Sequence, residues 1–154
     1  MTLGIQNASF VAQAVDWIPE LIYEILSRAF HPKGCSFVRI IQRCPEFLPE
    51  LLDPWLHDPN RTLLLTHEKG LQVSASLSRV YKNQREHDPM DIDRAREIAS
   101  AGDPIPVGIL YQNPAVPCYE ELHAIEPLRT PDLIQRGLEA EFDKFTIWPQ
   151  ERAD

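Results

Sequence analysis

The chain has 154 residues, 44% of them hydrophobic, a size for one domain, or one domain with a small extension, with enough apolar side chain for a core. Its formal net charge of −8 excludes a dedicated nucleic-acid binder, which needs clustered Lys and Arg to neutralise phosphates. No apolar run approaches the roughly 20 residues of a membrane helix, and the N-terminus has neither the basic region nor the apolar run of a signal peptide. Three widely spaced cysteines do not form a secreted disulfide framework, so a cytoplasmic location is expected.

The 14 prolines, about twice the usual usage of around 5%, predict short elements joined by rigid turns. Phe10 to Val15 is a short apolar strand candidate. Pro19 then opens a helix, where its missing N–H costs nothing. Leu21, Ile22, Ile25, Leu26, Ala29 and Phe30 follow at helical spacing, and His31-Pro32-Lys33-Gly34 closes the segment. Phe37 to Ile41 shows little polar alternation, as expected of a parallel strand covered on both faces. Gly4 to about Leu52 therefore reads as half of a doubly wound domain, whose other half would precede Met1.

Asp53-Pro54-Trp55 and Asp58-Pro59-Asn60 break the chain. Leu63-Leu64-Leu65 predicts a strand, and Gln72 to Asn83 a helix with Val73, Leu77, Val80 and Tyr81 inward. Asp88-Pro89 reads as an N-cap followed by proline at the first helical position, with the helix running to about Ala101 and stopping near Gly102. Ile105 to Tyr111 predicts a strand, which Pro106 places at an edge or limits in pairing at its start. Asn113 to Pro117 is loop. Thr130-Pro131 caps a last helix whose Leu133, Ile134, Leu138, Phe142 and Phe145 form an apolar stripe, read as core or as a contact between subunits.

Chemistry-bearing residues are sparse. Cys44 ends the run that starts at Cys35, and ligands of open α/β sheets sit beyond the carboxyl ends of strands. A free buried thiol is the plainer reading of Cys44; Arg43 beside it would favour the thiolate. Cys35 lies at the other end of the strand, too far to share one ion with Cys44 at about 3.3 Å per residue. Cys118 reads as a packed thiol. The histidines at 31, 57, 67, 87 and 123 show no His-x-x-x-His spacing, so a zinc site is unsupported. Glu86-His87-Asp88 reads as a polar turn capping the following helix. No dinucleotide fingerprint, P-loop or nucleophile elbow is present.

Several stretches nevertheless resemble one known family. Gly4-Ile-Gln-Asn-Ala-Ser-Phe-Val-Ala12, the helix ending His31-Pro-Lys-Gly34, the strand Ser36-Phe-Val-Arg-Ile-Ile41 and then Cys44-Pro45 resemble the end of the thiamine diphosphate-binding domain in the beta subunit of 2-oxoacid:ferredoxin oxidoreductases. Asp88-Pro-Met-Asp-Ile-Asp-Arg-Ala-Arg96 and Ile105-Pro-Val-Gly-Ile-Leu-Tyr111 resemble the C-terminal extension of the same subunit. The resemblance implies an α/β fold: the C-terminal portion of a doubly wound domain over residues 1–52, then a small α/β extension over 53–154. It also implies a reaction, the oxidative decarboxylation of a 2-oxoacid to acyl-CoA. Thiamine diphosphate, magnesium and [4Fe–4S] clusters are the cofactors, and ferredoxin is the electron acceptor. Partners would be the alpha and gamma subunits of the complex, or a second beta subunit.

Only Cys44 carries over as a site residue, as an iron–sulfur ligand. Gln42-Arg43 stands where the family has Ser-Pro. The Gly-Asp-Gly motif that holds magnesium and diphosphate, and the Cys-x-x-Cys pair, are not in this sequence. The isolated chain is therefore expected to bind no thiamine diphosphate, to turn over no substrate, and to expose an unpaired sheet edge. Two other readings remain: a non-catalytic assembly module, and a cysteine enzyme built on Cys44 or Cys118.

Overall fold

The computed structural model describes residues 2–4, 7–44, 46, 50–68, 71, 73–124 and 131–144. Two compact units emerge, Met1–Tyr119 and Glu120–Asp154. The first is an α/β unit, the expected class. Its five strands are β1 (Ala8–Val15), β2 (Cys35–Ile41), β3 (Thr62–Thr66), β4 (Gln84–Glu86) and β5 (Ile105–Gln112), in the order β2-β1-β5-β3-β4. Strands from both sides of residue 52 thus share one sheet.

Chain direction divides this sheet. β1 and β2 are parallel to each other. β3 is parallel to both β4 and β5. Where the two sets meet, β1 and β5 run antiparallel. The carboxyl ends of β1 and β2 therefore face one rim, and those of β3, β4 and β5 face the opposite rim.

Helices α1 (Pro19–Ala29) and α4 (Ile92–Ser100) cover the sheet. Leu21 and Ile25, one turn apart on α1, pack with Phe10, Ala12, Ala14, Leu64, Val107 and Ile109. Ala95 and Ile98 of α4 join a separate cluster with Val11, Leu63, Leu65 and Leu110. Alternate residues of β1, β3 and β5 feed one cluster or the other, the period-two pattern of strands buried on both sides. Pro19 sits in the first turn of α1, as expected. α4 starts later than expected: Asp91, not Asp88, is its N-cap, accepting from the backbone N of Asp93 at 3.1 Å and of Arg94 at 2.9 Å. Asp88 instead turns the chain before it, accepting from Met90 N at 2.9 Å.

Other expectations shift as well. β2 is an edge strand, not a strand covered on both faces: Phe37 is 42% and Ile40 43% exposed. β5 is the central strand, so Pro106 does not mark an edge. Proline is tolerated because Pro106 stands at the strand start, where it pairs with Leu63 of β3, and pairing with β1 begins only at Gly108. On the β1 side, Gln13 reaches over and donates Nε2–H to the Pro106 carbonyl at 2.7 Å. The helix expected over 72–83 shortens to α3 (Ala75–Val80), capped by Ser74, and β4 begins four residues after it, at Gln84. The breaker-rich stretch holds a one-turn helix, α2 (Asp53–His57). A further turn, α5, spans Tyr119–Leu122.

The second unit holds α6 (Pro131–Asp143), the expected last helix, with Gln135 donating to Glu139 at 2.9 Å along its surface. Pro45, Gln72, Thr130 and Phe145, and the side chains of Leu133 and Ile134, lie outside the described residues. No helix among the described residues is long and apolar enough to cross a membrane.

Candidate functional site

Two places on the sheet invite chemistry, one at each rim. At the rim after β2, the chain passes Gln42 and Arg43 to reach half-buried Cys44. Arg43 does not simply present its charge to the thiol. Its backbone N and its Nε both donate to the Asp16 carboxylate, at 3.1 Å each. The guanidinium expected to favour a thiolate is thus engaged by an acid of the β1–α1 turn. Cys35 starts β2 and Cys118 follows β5, so neither is brought to Cys44 by the strands; all three are free cysteines.

A thiolate cluster site fails the geometric test within this chain. Among the described residues, no three His, Cys, Asp or Glu side chains are placed to hold a metal ion. A [4Fe–4S] cluster takes four thiolates, and at Cys44 this chain offers one.

At the opposite rim a cavity of about 500 Å³ opens past β3, β4 and β5. Its place is that of ligand sites in open α/β sheets, beyond the carboxyl ends of parallel strands. Strand register builds it. Thr66 pairs with Glu86 across the β3–β4 ladder, and His87 N donates to Thr66 O at 2.9 Å. The residues next in the chain, His67 and His87, both line the cavity, with Glu68, Glu86 and Asp88. Arg28, from the last turn of α1, and Gln112, at the end of β5, complete the polar wall.

The two imidazoles differ. His87 is almost wholly buried, with Nε2 at 2.7 Å from the Leu110 carbonyl oxygen. Its Nδ1 is buried with no partner among the described residues, as is Nε2 of His67. His67 is half-buried. Burial, reinforced by the charge of Arg28 and by His87, holds its pKa below the ordinary imidazole value, against a smaller opposing pull from Asp88. It is therefore neutral near pH 7. The sequence alone reads Glu86-His87-Asp88 as a polar turn and offers no link to His67. One signal is available: each histidine is the first residue past a strand, and parallel pairing of those strands places the two side by side.

A third polar cluster joins Arg61, Trp55 and Asp103. Arg61 Nη2 donates to Asp103 at 2.6 Å, Trp55 Nε1 donates to the same carboxylate at 3.0 Å, and the guanidinium lies 5.1 Å from the Trp55 ring centroid. This cluster ties α2 to the turn before β5.

Residues 77–126 match the family model for the C-terminal region of the pyruvate ferredoxin oxidoreductase beta subunit. The match, about a third of the chain, falls on the stretch that holds Asp88–Arg96 and Ile105–Tyr111, and so supports the resemblance of that stretch to a C-terminal part of the beta subunit. His87 lies inside it; His67 and Cys44 lie outside. No curated protein and no solved structure matches the chain significantly.

Proposed function

We propose that this chain is a beta-subunit segment of a 2-oxoacid:ferredoxin oxidoreductase, working within an assembly of several subunits and not as an enzyme by itself. The match over residues 77–126 carries this reading. The parent reaction is oxidative decarboxylation of a 2-oxoacid to acyl-CoA with reduction of ferredoxin. Thiamine diphosphate would supply the carbanion chemistry there, and the diphosphate-binding motif is absent from this sequence. Residues 1–52 would be the end of the thiamine diphosphate-binding domain and 53–154 the C-terminal extension, in a cytoplasmic complex with alpha and gamma chains or a second beta chain.

Cys44 is proposed as one iron–sulfur ligand, with the remaining thiolates supplied from outside this sequence. The test is direct: thiamine diphosphate with magnesium should leave the melting temperature of the isolated chain unchanged, and a saturable rise overturns the proposal. In an assembled complex, Cys44→Ser should lower iron and acid-labile sulfide content; unchanged content removes Cys44 as a ligand.

One observation also supports a purely architectural role. Among the described residues β2 presents an unpaired edge, with Phe37 and Ile40 exposed, a surface that another strand can extend. Co-purification with the other subunits, together with full cluster content in Cys44→Ser, distinguishes that role from cluster ligation.

A further inference from the structure

Two hydrogen bonds fix the backbone polarity of β2. Asp16 N donates to Ile41 O at 2.9 Å, and Ser9 Oγ donates to Cys35 O at 2.9 Å. Odd-numbered residues of β2 therefore turn their backbone groups to β1, and Ser36, Val38 and Ile40 turn theirs outward, where no strand lies among the described residues. Natural edge strands carry lysine, proline or a bulge against pairing with another chain. Cys35–Ile41 has no proline, and its one charge is Arg39.

α1 widens this edge into a surface. Its polar flank, Glu24, Ser27 and Arg28, shares a cavity wall with Gln112 at the end of β5, and so looks toward the middle of the sheet. The opposite flank, Pro19, Ile22, Tyr23, Leu26, Ala29 and Phe30, carries no charge and looks over β2, where Ile22 and Ala29 border the core with Val38 and Ile41. Tyr23 is 76%, Leu26 47% and Phe30 90% exposed. Ile40, opposite Ala14 in the ladder, belongs to the same face.

We propose that two copies of this chain form a two-fold dimer through this surface, β2 antiparallel to β2 and α1 packed on α1, so that one sheet runs through both copies. The dimer sharpens the architectural role proposed for the β2 edge, on which it rests. The register follows from the outward groups: Val38 faces the second copy's Val38 and Ser36 the second copy's Ile40, which pairs the whole strand. A shift toward the carboxyl end would set Arg39 against the second copy's Arg39. In the full register Arg39, exposed and in no ion pair among the described residues, instead faces the second copy's Phe37, a cation–aromatic pair that symmetry makes twice. α1 lies over β1 and β2, so strand spacing of about 4.8 Å sets the two helices about 10 Å apart, the contact distance of packed helices. Aromatic side chains bury roughly 150–250 Å² each. Tyr23 and Phe30 of both copies, added to the two strand edges, reach the roughly 1,200 Å² at which specific interfaces begin. In the dilute monomer the edge is open, and Phe37 is a surface residue.

Sedimentation equilibrium of the purified full chain tests the dimer, with amide hydrogen exchange followed by NMR. Expected are a mass of twice 17.7 kDa that falls on dilution, and slow exchange at Ser36, Val38 and Ile40 in the dimer. Leu26→Glu, at an exposed position, should weaken association roughly a hundredfold by bringing like charges together and restore rapid exchange at those three amides. Arg39→Gln should weaken it about fivefold. A monomer up to millimolar concentration, association past the dimer, a dimer with those amides unprotected, or a dimer indifferent to Leu26→Glu overturns the proposal. A monomeric chain that still co-purifies with other subunits overturns self-pairing alone and leaves the architectural role standing.

Discussion

β1 and β2 lie side by side in parallel register, and both read as short apolar strands. All eight residues of β1 are buried, whereas β2 has none buried. Composition does not separate them, since Phe37, Val38, Ile40 and Ile41 are bulkier than the alanines of β1. Neighbours do. β1 has β2 on one side, β5 on the other, and the α1 and α4 clusters above and below; among the described residues β2 has β1 alone as a strand partner. A run of apolar residues thus shows that a strand is buried somewhere, while the order of strands decides which one.

The sharpest way to break this comparison is a matched pair of truncations. Phe10→Ala, at 0% exposure, should cost about 3–5 kcal/mol in chemical denaturation. Gly108→Ala tests the centre of the sheet differently. Gly108 adopts φ +136°, and a Cβ there would lie 2.9 Å from Leu65 Cβ and 3.0 Å from Leu65 O. Overpacking of about 1–3 kcal/mol, with backbone strain added, should lower the melting temperature clearly. Phe37→Ala on β2 should fall within about 1 kcal/mol, as surface substitutions do. A loss as large as that of Phe10→Ala would mean that the β2 edge is covered in solution.

The smallest effect is electrostatic and belongs to the other rim. The folded protein holds the pKa of His67 below its unfolded value, so the unfolded chain binds the proton first as pH falls. The stabilising contribution is whole above the ordinary imidazole range and is lost as pH drops through the folded value. His67→Gln should flatten the pH dependence of stability across the imidazole range relative to the parent chain; an unchanged slope would show that another group titrates there.

The strands β1, β3 and β5 and the helices at Pro19 and Pro131 are legible in the sequence because local signals agree: apolar runs of strand length, proline in the first helical turn, stops at Gly34 and Gly102. The N-cap falls on Asp91 and not Asp88 because both aspartates can close an Asx turn, and only the packing of Ala95 and Ile98 fixes which one starts the helix. β4 lies just past the helix read over 72–83 and has no signal of its own in the sequence: its three exposed residues carry no periodicity, and their strand conformation comes from pairing with β3. The site is less legible than the fold. Cys44 is reached through family resemblance, while the two histidines are well separated in sequence and become neighbours only through the Thr66–Glu86 register.

The reversal of chain direction between β1 and β5 has an evolutionary consequence. Loops after β1 and β2 emerge at one rim and loops after β3, β4 and β5 at the other, with the packed sheet between them. Substitutions or insertions at one rim need not cross the core to reach the other. Selection can therefore act on the rim at Cys44 and on the histidine-lined rim separately.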